Sequence, residues 1–106
     1  MKLYHSTTLI DAVEIQKNGF FDYEHPHPYP DGVIFSTKPS DHPDQSKERE
    51  AVLMVEFPIP DEVSQYIVLE GESDQKLTCT MWIIPSAIAN KYFTDKTIYD
   101  YYTDFA

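Results

Sequence analysis

The chain is short of cysteine, glycine, arginine and long apolar runs, and each shortage excludes something. Cys79 is the one cysteine among 106 residues, so no disulfide can close within the chain and a reducing compartment suits it. It lies in an apolar run, where a buried thiol is favoured over a nucleophile. With Gly19, Gly32 and Gly71 alone, no glycine-rich loop is present to cradle a phosphate. No Ser-His-Asp order and no Cys-x-x-Cys pair occurs. No stretch approaches the ~18 apolar residues of a membrane-spanning helix, and Met1-Lys2-Leu3-Tyr4-His5 does not open like a secretory signal. A cytoplasmic protein is the expectation.

Basic residues are also few. Eight Lys and Arg, with Arg49 the single arginine, stand against 18 Asp and Glu, for a net charge of −10. Such a surface repels phosphate backbones, so direct binding to duplex nucleic acid is not expected. It favours a partner with a basic surface, or serves solubility alone.

What is present is enough for one core. The length is that of a single domain over residues 1–106, and 42% hydrophobic residues lift the chain clear of disorder. The rings are mostly Tyr and Phe, which favours sheets over a plain helical bundle. Lys2 to Ser6 reads as a first strand, with Leu3 and His5 on one face and Tyr4 on the other. A helix follows over Thr8–Lys17. Thr7 or Thr8 caps it, Asp11 adds first-turn charge, and Leu9, Ala12, Val13 and Gln16 mark one side. Ile10 and Ile15 widen that apolar stripe, and Asn18-Gly19 supplies a left-handed stop. Phe20 and Phe21 then lead the chain inward.

Prolines at alternate positions in His25-Pro26-His27-Pro28-Tyr29-Pro30 exclude helix and interior strand, so residues 22–31 form a loop. A second strand runs Val33–Thr37. A polar loop over 38–50 has a turn of helix near Gln45–Glu50. Ala51–Phe57 is the clearest strand and stops at Pro58 and Pro60. Tyr66–Glu70 and Lys76–Ile84 read as a hairpin around Gly71. Pro85 opens a short helix that ends near Asn90. The tail Ile98–Phe105 alternates rings and acids. It reads as a last strand or helix closing the core, or as a docking strip for a basic partner.

One constellation spans the chain. Leu3-Tyr4-His5-Ser6-Thr7-Thr8, a helix, Asn18-Gly19-Phe20, and Gly32-Val33-Ile34-Phe35-Ser36-Thr37 together resemble the opening of ADP-ribosyltransferases of the diphtheria-toxin and poly-ADP-ribose-polymerase type. The rifampin-modifying ADP-ribosyltransferases and RNA 2′-phosphotransferases share that scaffold. Val55-Glu56-Phe57-Pro58 and Trp82-Ile83-Ile84-Pro85 are similar to later strands of the family. The resemblance implies an α+β fold of two small packed antiparallel or mixed sheets with one main N-terminal helix. It implies NAD as a bound substrate. His5 would be the catalytic histidine, bonding a ribose hydroxyl, with Tyr4, Ser6 and Thr7 beside it at the nicotinamide. Ile34, Phe35 and Ser36 would line the nicotinamide pocket. His5 and Ser36 would converge on one cleft bordered by the Pro-rich loop, with Tyr29 as a stacking ring.

Two family side chains are missing. Ile34 stands where the family has its stacking ring, and Met81 stands nearest its catalytic glutamate. A thioether cannot stabilise an oxocarbenium ion as a carboxylate does. Glu70 and Glu72 lie upstream of that position, and Arg49 sits in a polar loop rather than at a pyrophosphate. The alternative for His5 is a strand histidine satisfied by a neighbouring carbonyl. The alternative for the whole chain is a non-catalytic acidic interaction protein: an immunity protein, an antitoxin or an enzyme inhibitor. His25, His27 and His42 with Asp22, Glu24 and Asp41 could supply ligands for a divalent metal, but their spacing is not that of a zinc site, and an exposed loop is the expectation.

Overall fold

The computed structural model describes residues 1–37, 51–58, 60–69 and 81–100. Strand β1 (Lys2–Thr7) is followed by helix α1 (Leu9–Asn18), then β2 (Val33–Ser36) and β3 (Ala51–Glu56). Helix α2 (Pro60–Ser64), β4 (Ile67–Leu69), β5 (Met81–Ile84), α3 (Ser86–Tyr92) and the two-residue β6 (Tyr99–Asp100) complete the order. Among the described residues the strands form one antiparallel sheet, ordered β4-β5-β2-β1-β3-β6.

The α+β class is therefore found, but two packed sheets are not. The reason lies in β1, which hydrogen-bonds on both edges. It pairs with β3 along its whole length, from Lys2↔Glu56 to Thr7↔Ala51. On its other edge a single registered pair, Tyr4↔Ser36, joins it to β2. That one pair makes two three-stranded halves into one sheet.

The helices cover one face. Leu3, Val33, Phe35, Ala51, Leu53, Val55, Trp82 and Ile84 from the strands pack with Ala12 and Ile15 of α1, Val63 of α2 and Ala89 of α3. Strand side chains alternate between faces, and residues paired across strands share a face. The pairs Leu3↔Val55, His5↔Leu53 and Phe35↔Trp82 thus belong to the helix side. Tyr4↔Met54, Tyr4↔Ser36 and Ser36↔Met81 belong to the opposite side.

Local chemistry sets the helix ends. Thr8 has extended backbone and its Oγ1 accepts from the Asp11 N–H at 3.3 Å, while the Gly19 N–H donates to the Ile15 carbonyl at 2.7 Å. Gly19 has φ +86°, and a Cβ there would lie 2.9 Å from Asn90 Oδ1, so glycine is required on two counts. Asn90 itself holds the chain beyond. Its Oδ1 accepts from the Phe20 N–H at 2.7 Å and its Nδ2 donates to the Phe20 carbonyl at 2.8 Å, as a neighbouring strand would. Helix α3 runs to Tyr92, two residues past the expected end near Asn90.

Two apolar expectations fail. Of the α1 stripe, Ala12 and Ile15 are buried, but Leu9 and Ile10 are exposed. Phe20 enters the core and Phe21 does not. Pro60, read as a stop, begins α2, where a missing N–H costs nothing and Asp61 and Glu62 suit the first turn. Strand β4 pairs antiparallel with β5, as a hairpin requires. Gly71, Glu70, Glu72, Cys79, the 38–50 loop with Arg49, and 101–106 lie outside the described residues.

Candidate functional site

His5 sits in mid-β1 on the helix side and is 7% exposed. Its Nδ1 lies 2.8 Å from the Ile34 carbonyl oxygen, an atom that only accepts, so Nδ1 carries the proton and donates. This is the strand histidine satisfied by a neighbouring carbonyl. The bond crosses from β1 to β2 just past the Tyr4↔Ser36 pair. Rings enclose the imidazole. Phe20 meets it edge-on at 5.6 Å, Phe35 lies at 5.9 Å, and Tyr23 stacks nearly parallel at 6.4 Å.

Ser36 is 1% exposed and belongs to the opposite face, as do Tyr4, Ser6 and Ile34. The cleft in which His5 and Ser36 converge is therefore not formed. The Tyr4↔Ser36 register forces this: His5 follows Tyr4 by one residue, and one residue changes the face. Phe35 and Thr7 share the His5 side. Phe35 is fully buried in the core, and Thr7 Oγ1 donates to Asp11 Oδ2 at 3.5 Å.

Met81 pairs directly with Ser36, so the position nearest the family acid lies on the face away from His5 and is buried. Tyr29 is half exposed in the Pro-rich loop, its N–H donating to the Pro26 carbonyl at 3.0 Å. The ring against His5 is Tyr23, not Tyr29. Tyr23 is placed by a two-way backbone pairing with Gly32, each N–H donating to the other's carbonyl at 3.1 Å. Burial, and then the nearby Asp11 carboxylate, raise its phenol above the ordinary value of 10.0.

Three residues escaped the sequence reading. Tyr23 had a faint signal, as an aromatic two positions beyond Phe21 at strand spacing. Asn90 was read only as a helix end, and its side-chain role depends on Phe20, 70 positions away. Asp22 had no signal: its Oδ1 accepts from the Ser86 N–H at 2.8 Å and so caps α3 from 64 residues away. Among the described residues no three His, Cys, Asp or Glu side chains gather around a point where one ion could be held. His25 Nε2 instead donates to the Gly32 carbonyl at 3.0 Å, and His42 and Asp41 lie outside the described residues. None of the described helices is long and apolar enough to cross a membrane.

Electrostatically the described surface is uneven. Between residues 9 and 31, Asp11, Glu14, Asp22, Glu24 and Asp31 are exposed against Lys17 alone, while Lys91 and Lys96 sit on α3 and beyond. Comparison with known proteins returns no matching family model, no similar curated protein and no similar solved structure.

Proposed function

We propose that this chain is a non-catalytic interaction protein, of the immunity-protein, antitoxin or inhibitor kind, on a scaffold that resembles the ADP-ribosyltransferases. One observation carries the reading. His5, Ser6 and Ser36, which the resemblance makes functional, are buried and divided between two faces of the sheet, while the exposed charged side chains of residues 9–31 are mostly acidic. A negative surface of this kind meets a basic partner and gains association rate by steering. The missing carboxylate at Met81 removes the group that would stabilise a cationic ribose, which fits a scaffold that binds without transferring. The test is capture of a partner from the native host at low and at high salt. A basic protein held at low salt and released at high salt supports the reading, and recovery of no partner under either condition counts against it.

A second reading has its own observation. Residues 4–7, 34–36 and 81, far apart in sequence, fall on three neighbouring strands. A nucleotide such as NAD bound there would use Tyr4 and Ile34, which are only partly buried and share one face of the sheet. Calorimetric titration with NAD separates the two readings.

A further inference from the structure

The large apolar side chains left exposed among the described residues are Leu9 at 48%, Ile10 at 83%, Phe21 at 48% and Tyr29 at 50%. All belong to the segment that is also richest in exposed acids. Scattered apolar residues on a surface need no explanation, but the residues that carry these are connected through their neighbours. Leu9 and Ile10 occupy the first turn of α1 with Asp11. Asp11 accepts from Thr7, which shares the His5 side of β1; the Tyr23 ring stacks on His5, and the Tyr23 and Phe21 rings touch with centroids 4.5 Å apart. Tyr29 projects from the loop that the Tyr23–Gly32 pairing closes.

We infer that Leu9, Ile10 and Phe21, flanked by Asp11, Glu14, Asp22 and Glu24, form the docking face for a lysine- or arginine-bearing protein segment with apolar anchors of its own. This inference rests on the binding role proposed above and names the surface and the partner's chemistry. Apolar anchors within a charged rim are the usual anatomy of a protein interface. Charge selects the occupant. A second copy would bring two chains of net charge −10 together, and an anionic membrane leaflet or a nucleic acid would be repelled in the same way. A cationic segment neutralises the rim while its apolar residues cover Ile10 and Phe21.

The experiment is amide chemical-shift mapping on the full chain with two synthetic probes, a peptide alternating lysine and leucine and a polylysine of equal charge. The lysine–leucine peptide is expected to shift residues 9–14 and 20–32. An Ile10→Ser, Phe21→Ser double variant should bind it about tenfold more weakly yet answer polylysine unchanged. Shifts centred elsewhere, or an unchanged affinity in the double variant, overturn this face and leave the interaction reading standing. Self-association of the free chain that the double variant abolishes, read by analytical ultracentrifugation, overturns it in favour of a second copy. No response to either probe at low salt overturns both.

Discussion

The row of residues through Tyr4, Ser36 and Met81 and the rim formed by Leu9, Ile10 and Phe21 use their side chains in opposite ways. In the row, a hydroxyl and a thioether that resemble functional positions are enclosed by packing. At Leu9, Ile10 and Phe21, large apolar side chains face water beside carboxylates. The difference teaches that a resemblance in residue type does not survive as a site unless the face and the exposure survive too. His5 makes the point most directly, since its Nδ1 proton is committed to the Ile34 carbonyl and its ring to three aromatic neighbours.

The comparison breaks first at Met81. Replacing it by glutamate places a carboxyl at a buried strand position, and a loss of about 3 kcal/mol is expected in urea unfolding. A stable Met81→Glu protein would mean that the acid position is open, and the enclosed row would no longer be a fair description. Next comes Asn90→Ala, which leaves the Phe20 N–H and carbonyl without their partner and should cost about 2 kcal/mol by the same measurement.

Tyr23 lies between the two regions, and pH tests it. Its folded phenol is raised from 10.0 by burial and by Asp11, so the folded chain holds that proton more tightly than the unfolded one. The contribution is complete below pH 10.0 and is lost as pH rises through the raised value. Stability of the wild type should fall above that point, and Tyr23→Phe should flatten part of the fall; equal alkaline slopes in both would contradict it. The smallest effect is expected on the rim. Ile10→Ser should change stability by no more than about 0.5 kcal/mol, because so exposed a side chain loses little packing. A larger loss would place Ile10 in the core after all.

Much of the fold was legible because it is local. The Thr8 cap, the Asn18-Gly19 stop and the alternation in Leu3-Tyr4-His5 each depend on a few adjacent residues. What was not legible depends on distant partners. One registered pair decides whether there is one sheet or two, and the same pair turns His5 away from Ser36. No pattern within either strand encodes that register. The exposure of Leu9 and Ile10 was hidden for a related reason: periodicity marks an apolar stripe, but the neighbouring elements decide which part of it is covered.

The central claim is that this scaffold binds a protein and not a dinucleotide, and one calorimetric titration addresses it. NAD added to the wild type and to His5→Ala should give no saturable heat in either protein, since His5 is enclosed and Ser36 faces the other way. Saturable heat in the wild type that disappears in a folded His5→Ala variant would contradict the account and make the nucleotide reading the better one.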